Sequence, residues 1–322
     1  MSRWVRLAAI AALSTPVAGV AWCQSYPVKP VRWIVPWPPG GGADTLTRIV
    51  SPKLSEALGQ QIIVDNRGGA AGNIGAELAA KSPPDGYTIA FAYSGTHSIN
   101  PSIYSRMAFR ESDFTPVIWL SSVPQVVVVH PSLPVKNIKD LIALDKAKPG
   151  QLSYGSSGSG AINHLTGELF NSMTGTKLVH VPYKGGGPAA VALLSGEIGM
   201  IFGEPASIAQ QVKAGRLRAV AVTSAKRSLF LPDLPTVAES GVPGYEVTSW
   251  NGVLAPAGTP AEIVRRLNSD LNRIIAAPDM TKRMIEFGFE PVGGPPERFG
   301  EFIRAETAKW APVVKKAGVK VD

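Results

Sequence analysis

Short runs of β-branched and aromatic residues alternate with stretches of helical periodicity along most of the chain. The run "VRWIVPW" (31–37) has the composition of a strand, and residues 44–58 after it repeat apolar positions at helical spacing. The same order recurs at "LSYG" (152–155), which precedes a helical pattern over residues 161–174. Repeated alternation of this kind predicts an α/β fold with mostly parallel sheets.

The C-terminal third of the chain is dominated by two amphipathic patterns. Residues 260–277 place Leu267 and Leu271 on one apolar helical face, and residues 296–316 do the same with Trp310. Two long helices at the end of an α/β chain are expected to pack back on an earlier sheet. Their apolar faces are therefore interpreted as core and not as sites.

Two extended segments interrupt the alternation and divide the chain. Residues 114–134 are longer than an ordinary strand of about five or six residues, and the Pro-rich residues 229–252 form a second break. We interpret both as crossings between two lobes. The predicted first lobe is discontinuous (24–118 plus 240–322), and the second lobe spans 119–239. Clefts between such lobes are favoured ligand sites.

The N-terminal segment predicts export. Two arginines precede an apolar run over residues 7–21, and no acidic residue occurs before Asp44. This order is typical of a signal peptide, predicted here over residues 1–23. Lipidation of Cys23 is the alternative, although Trp22 is larger than the residues expected just before an acylated cysteine. The chain contains no cysteine besides Cys23, so the mature protein would lack disulfides.

The charge of the chain favours small anions over nucleic acid as partners. The formal net charge is +8, and removing residues 1–23 takes away two arginines and no acids, which leaves +6. The basic residues are spread along the chain without a run of five, and aromatic residues do not interleave with them. A mildly basic surface that attracts anions is the better interpretation.

The stretch "VPWPPGGGADTLTRIV" (35–50) is the first candidate binding loop. Glycines without Cβ atoms let backbone N–H groups approach a ligand closely, and a helix N-terminus leaves N–H groups unpaired. Gly40, Gly41 and Gly42 could therefore hold an anion. A plain strand-to-helix turn capped by Asp44 is the alternative.

Three further polar, Gly-containing loops also follow predicted strands. They are "YGSSGSGAINHLTGELF" (154–170), "VPYKGGGPAAVALL" (181–194) and "AYSGTHSINPSIY" (92–104). In an open α/β sheet such loops gather at the carboxyl ends of the strands, where ligands bind. Two of the four loops precede the first crossing and two follow it, so they could face one another across a cleft.

Known catalytic and cofactor motifs fail on inspection. A dinucleotide motif beginning at Gly40 would need glycine where Thr45 stands, and a hydrolase motif beginning at Gly155 would need glycine where Ser159 stands. The four histidines show no metal-binding spacing, and His164 is interpreted as a packing residue. The sequence therefore predicts no catalytic residues, no cofactor and no metal.

Several ordered segments resemble one family, the Bug-type extracytoplasmic solute receptors of tripartite tricarboxylate transporters. The resemblance extends over nearly the whole mature chain. It rests on "YPVKPVRWIVPWPPGGGADTLTRIV", "VDNRGGAAGNIGAELAAKSPPDGYT", "HVPYKGGGPAAVALLSGEI", "LRAVAVTSAKRSLFLPDLPTVAESGVPGYEV" and "WNGVLAPAGTPAEIV". It implies a two-lobed, type II-like periplasmic binding protein that closes in the manner of a Venus flytrap on a small carboxylate.

In such receptors a carboxylate is held mainly by backbone N–H groups and small hydroxyls. Many members carry an aspartate where this chain has Gly203 and Glu204. The rings of Trp37, Tyr93 and Tyr183 could wall a pocket, although aromatic residues at strand ends more often belong to the core; Trp37 and Tyr183 are counted among the predicted contacts on this ground. The resemblance implies ligand contacts in the first lobe at Pro39, Gly40, Gly41, Gly42, Ala43, Asp44, Ser94, Thr96 and His97. In the second lobe it implies contacts at Ser156, Ser157, Gly158, Ser159, Gly160, Ala161, Asn163, Lys184, Gly185, Gly186 and Glu204.

The resemblance also implies a cellular role. The expected protein is a periplasmic monomer, not an enzyme, that captures a di- or tricarboxylate, an aromatic acid or an acidic amino acid and delivers it to membrane permease subunits. Two alternatives stay open from the residues alone. One is a secreted α/β hydrolase-like enzyme, and the other is a sensor that presents its ligand to a membrane kinase.

Overall fold

The computed structural model describes residues 26–320, so the predicted signal peptide lies outside the described residues. Within these residues, no helix combines the length and apolar character that a membrane span needs. The strands are β1 Val31–Val35, β2 Ile62–Asn66, β3 Thr88–Tyr93, β4 Phe114–Pro124, β5 Val126–Val129, β6 Ser153–Ser156, β7 Val179–Pro182, β8 Met200–Gly203, β9 Arg218–Val222, β10 Thr248–Pro256 and β11 Glu290–Pro291.

The helices surround two sheets. They are α1 Gly42–Leu58, α2 Asn73–Ala80, α3 Asn100–Ile103, α4 Ile138–Ala147, α5 Ile162–Thr174, α6 Gly186–Ser195, α7 Pro205–Lys213, α8 Ala261–Ala276, α9 Pro278–Glu286 and α10 Pro296–Ala317. Short helical turns at Ala70–Gly72, Gly95–Ile99 and Glu111–Asp113 complete the described elements. The α/β architecture predicted from the sequence is confirmed.

The strands form two separate mixed sheets. The first has the order β11-β4-β10-β3-β1-β2, and the second has the order β7-β6-β8-β5-β9. In the first sheet β1 pairs in parallel with β2 and β3, whereas β10 is antiparallel to β3 and β4. In the second sheet β6 is parallel to β7 and β8, whereas β5 is antiparallel to β8 and β9.

The prediction of mostly parallel sheets is therefore wrong, and the connections between the sheets explain why. The chain leaves the first sheet through β4 and returns to it through β10, so these neighbouring strands run in opposite directions. It enters the second sheet through β5 and leaves it after β9, which imposes the same antiparallel pairing there.

The chain changes sheet at Gln125 and again between β9 and β10. The predicted lobe boundary at residue 118 falls inside β4, which stays paired with β10 up to Pro124. The second predicted boundary, at residue 239, falls in the connection between β9 and β10. Backbone bonds from Thr223 N to Gln125 O (2.9 Å) and from Val247 N to Thr223 O (2.8 Å) join the two crossings.

The last helix belongs to the cores of both lobes. Phe299 and Ile303, in the first half of α10, pack with Trp250 against the first sheet. Trp310 and Val314, in its second half, join the buried cluster of the second sheet. The prediction that the C-terminal helices pack back on earlier sheets is confirmed, and α10 also connects the lobes.

Candidate functional site

The first binding loop connects β1 to α1 and leaves the start of α1 open. The helix begins at Gly42 after Gly41, and among the described residues no side chain caps it. Asp44 does not act as the predicted cap, because its carboxylate accepts the N–H of Gly40 (2.9 Å) and pairs with Arg48 (2.9 Å). Burial raises the pKa of the Asp44 carboxyl, but hydrogen bonds from Arg48 and Gly40 outweigh it and make the net shift downward.

The exposure of this loop suits a ligand contact. Pro39, Gly40, Gly41 and Gly42 are exposed, and Ala43 is half-buried. Gly40 has a φ of +86°, a conformation that glycine adopts readily. Asp44 thus shapes the loop from behind while the uncapped N-terminus of α1, with its partial positive charge, faces outward.

The end of β3 lies beside this loop. The Trp37 and Tyr93 rings meet edge to face with centroids 5.8 Å apart. Ser94 is completely buried, and its hydroxyl has no hydrogen-bond partner in the part of the chain that the structure describes. Burial and the nearby carboxylate of Glu204 raise the pKa of the Tyr93 hydroxyl well above its ordinary value. Tyr93 is therefore a point at which the two lobes approach each other.

Thr96 and His97 face the protein interior, although the sequence places them among the ligand contacts. The chain after β3 winds into the π-helical turn Gly95–Ile99, which directs both side chains inward. The Thr96 hydroxyl donates to Ala71 O (3.0 Å). The His97 ring lies 5.5 Å from Phe114, and burial lowers its pKa to about 4. The structure thus does not bring these two side chains together with the exposed loop.

The second-lobe loop between β6 and α5 is held by its own side chains. The amide oxygen of Asn163 accepts from Ser157 N (3.1 Å) and Ser157 Oγ (3.0 Å). Gly158 and Gly160 adopt φ angles of +139° and +79°, which side chains with a Cβ rarely allow. The loop ends at Ala161, the N-cap residue of α5, which within residues 26–320 makes no side-chain cap. In the first turn, Asn163 Oδ1 also accepts the N–H of His164 (3.1 Å).

A pair of stacked histidines supports this loop from behind. The centroids of the His164 and His180 rings are 3.7 Å apart, and the ring planes are nearly parallel, at 12°. His164 Nδ1 accepts the N–H of Gly160 (3.0 Å), and His180 Nε2 lies 2.6 Å from Ser156 Oγ. Burial lowers the pKa of both imidazoles to about 4, so both rings are neutral at pH 7 and can accept hydrogen bonds.

The Ser156–His180 contact has the spacing of a nucleophile and its base, but its surroundings do not fit that role. Ser156 is completely buried, and its hydroxyl also bonds to Gly158 (3.1 Å). Among the described residues no carboxylate hydrogen-bonds to His180, and Glu168 instead accepts from Tyr154 OH (2.8 Å). Sequence inspection missed this cluster because its members come from β6, β7 and α5 and form no local motif.

The second-lobe loops meet at one small cavity of about 100 Å³. The N-termini of α5 and α6 both lie at this cavity, and within the described residues neither has a side-chain cap. Four of the predicted contacts line the cavity, together with six residues that were not predicted as contacts. The lining residues are Ser157, Asn163, Gly186 and Glu204 with Gly155, Ala189, Ile201, Phe202, Gly203 and Ser207.

The remaining predicted contacts of this lobe do not line the cavity. Lys184 and Ser159 are exposed. Gly185 precedes α6 with a φ of +110°, and its N–H donates to Ser157 O (3.2 Å). The Tyr183 hydroxyl donates to Glu197 (2.7 Å), and burial together with this bond raises its pKa to about 12. Tyr183 is therefore already engaged within its own lobe.

A larger groove of about 450 Å³ lies elsewhere, between α1, α8 and α9. Three of its four charged lining residues pair with neighbours: Lys53 with Glu56 (3.2 Å), and Arg273 with Asp270 (2.7 Å). None of the predicted contacts lines it. Among the described residues there is also no group of three or more His, Cys, Asp or Glu that could hold a metal ion.

Comparison with known proteins identifies the family to which this arrangement belongs. A family model described as "Tripartite tricarboxylate transporter family receptor" matches residues 46–319. The chain belongs to this family. Protein BugT of Bordetella pertussis is 36% identical, over 98% of this chain and 98% of its own length. The family consists of solute-binding receptors, which are not a class of enzymes.

Solved structures of related receptors have the same two-lobed fold. An R. palustris protein solved with adipate is 41% identical, has a TM-score of 0.80, and is matched over 92% of this chain and 99% of its own. MatC from Rhodopseudomonas palustris, solved with bound malate, is 29% identical with a TM-score of 0.75, over 90% of this chain and all of its own. The predicted periplasmic binding protein fold is confirmed.

Proposed function

We propose that this protein captures a small carboxylate between its two lobes and delivers it to the permease of a tripartite transporter. One observation carries the proposal: the N-termini of α5 and α6, without side-chain caps among the described residues, meet at one cavity with the Ser157 hydroxyl and the Asn163 amide. Helix N-termini and neutral donors of this kind suit a carboxylate. The adipate and malate in the related structures support this ligand class.

The energetics require both lobes. A helix end contributes about 0.3–2 kcal/mol to the binding of an anion, whereas micromolar affinity needs about 8 kcal/mol. Contacts from α5 and α6 must therefore be joined by those from α1 and by burial of the ligand. Closure of the lobes would bring the exposed first-lobe loop at Gly40–Gly42 onto a ligand seated in the second lobe.

The remaining parts of the proposal concern the cell. We infer that residues 1–23 direct export and are removed, and that the mature protein acts in the periplasm as a monomer without catalytic activity. The buried Ser156 hydroxyl and the lack of an acid at His180 within the described residues support a binding role over hydrolysis.

Calorimetric titration with mono- and dicarboxylates tests the proposal. We expect at least one small carboxylate to bind with micromolar affinity. Replacing Ser157 by valine should weaken the affinity about tenfold, or ~1.4 kcal/mol. Valine removes the hydroxyl that lies at the cavity, which without ligand donates to Asn163 Oδ1 and would turn to a bound carboxylate. The matched control is Ser195→Val at an exposed position outside the cavity, which should leave affinity unchanged.

A second variant addresses the first lobe. A Cβ on Gly42 would touch only Phe289, at 3.7 Å, so Gly42→Val should fold while obstructing the start of α1. We expect its melting temperature to stay near that of the wild type and its affinity to fall. Strong binding of a sugar or a cation with no response to any carboxylate would refute the proposed function.

A further inference from the structure

The cavity at the second-lobe helix ends contains one feature that a simple anion site does not need. Among the described residues that line it, Glu204 is the only charged one. Its carboxylate has no hydrogen-bond or ion-pair partner in residues 26–320, whereas Asp44 in the first-lobe loop is paired. An unpaired carboxylate beside a pocket for an anion suggests that a ligand supplies its partner.

The position of Glu204 is fixed by its backbone. It immediately precedes α7, with Pro205 as the first helical residue, and its carbonyl accepts the Ser207 N–H (3.0 Å) and the Ser207 hydroxyl (2.7 Å). The side chain therefore leaves a rigid corner of the cavity. Tyr93 of the first lobe is close enough for the Glu204 charge to affect its hydroxyl, so Glu204 stands between the anion pocket and the opposite lobe.

The chemistry of the lining then restricts the ligand. A ligand that presents one carboxylate to the ends of α5 and α6 brings its remaining groups toward Glu204. A second carboxylate there would face a like charge, and an alkyl end would leave Glu204 unpaired in a closed, poorly hydrated site. An ammonium group would form an ion pair, and a hydroxyl would donate a hydrogen bond.

We propose that Glu204 determines specificity by selecting carboxylates that carry a hydrogen-bond donor, an ammonium group above all, over plain dicarboxylates of the same length. The inference rests on the proposed function, because it assumes that a carboxylate occupies the helix ends. Surrounding protein atoms desolvate the Glu204 carboxyl and raise its pKa, although the residue as a whole is exposed. That direction is the one expected for an acid that lacks a partner until a ligand arrives.

A matched ligand series tests the inference by calorimetry at pH 8, which favours the ionised form of a carboxyl whose pKa is raised. Succinate, glutarate and adipate are compared with the ω-hydroxy and ω-amino monocarboxylates of the same chain lengths. We expect the best ω-amino acid to bind at least tenfold more tightly than the diacid of the same chain length. The affinity of the corresponding ω-hydroxy acid should lie between the two. Glu204→Gln, which keeps the size of the side chain, should reduce that ratio at least tenfold.

Glu246→Gln is the matched control, because Glu246 is exposed, lies outside the cavity, and stands between Tyr245 and Val247 of the buried cluster of the second sheet. It should leave the ratio unchanged. Diacids that bind as tightly as the amino acids, or a ratio that Glu204→Gln does not alter, would overturn the inference while leaving the proposed function intact. If no compound of the series and no other carboxylate binds, both proposals are wrong.

Discussion

A buried imidazole, His97, links the acidity of the solution to the stability of the fold. Phe109, Phe114 and Trp250 surround its ring, and its Nε2 atom has no partner among the described residues. Burial lowers its pKa from 6.5 to about 4. Between about pH 4 and 6.5, the imidazole is therefore protonated in the unfolded chain but neutral in the folded protein. Proton binding to the unfolded chain lowers the free energy of unfolding as the pH falls through that window.

Replacing His97 by phenylalanine should make the protein less sensitive to acid. At about 1.4 kcal/mol per pKa unit, the lowered pKa corresponds to a decrease of up to ~3 kcal/mol in the free energy of unfolding on acidification. The variant lacks the imidazole and should not show this decrease. Urea denaturation at pH 7.5 and pH 5 measures the difference, and His130→Asn, outside the aromatic cluster, is the control. An equal loss of stability in wild type and His97→Phe would contradict the prediction.

At the scale of elements, the contact between β10 and α10 depends on the absence of one side chain. A Cβ at Gly252 would lie 2.2 Å from Cζ of Phe299 and 2.7 Å from the carbonyl oxygen of Ile118. The carbonyl belongs to β4, which is fixed by its pairing with β10, so the helix would have to move away. Phe299 is completely buried and anchors the first half of α10 to the first lobe.

Gly252→Ala should therefore lower the free energy of unfolding by about 1–3 kcal/mol, the usual cost of overpacking a core. Chemical denaturation measures it. Gly187→Ala is the control, because the structure leaves open space around that helical position and alanine favours helix. Equal stability of the two variants would show that α10 is less closely packed than the structure indicates.

The helices were predictable from the sequence more than the sheets were. Periodicity alone places α5 and α8 within one residue of their observed ends, since a single apolar face sets each helix. It misses β10, which is buried along its whole length and contains asparagine, glycine and proline, so neither alternation nor strand propensity identifies it. The antiparallel pairing of β10 follows from the crossing between sheets, which no local pattern encodes.

The candidate site was likewise predictable from the sequence only in part. Local Gly and Ser composition identifies the loops at Gly40–Gly42 and Ser156–Gly160, because the backbone conformation there depends on those residue types. The orientation of His97 depends on distant aromatic residues, and the support of Ser156 depends on His180, 24 positions away. Such contacts become visible only when the elements are packed together.

The whole molecule is arranged for closure, and this leads to the last prediction. The lobes are joined by the two strand crossings at Gln125 and Thr223–Val247 and by α10, whose halves lie in different cores. We therefore expect the lobes to rotate about these connections while each core stays packed. Since neither the α1 loop nor the second-lobe cavity supplies enough binding energy alone, a bound carboxylate should hold the lobes together.

We expect a saturating carboxylate to reduce the radius of gyration measured by small-angle X-ray scattering. At a concentration that saturates the wild type but not the weakened variant, Ser157→Val should stay closer to the open value, because closure depends on the second-lobe contacts. Ser195→Val should close like the wild type. A ligand that binds with micromolar affinity and leaves the radius of gyration unchanged would mean that one lobe suffices, and the exposed glycines of the α1 loop would then need another explanation.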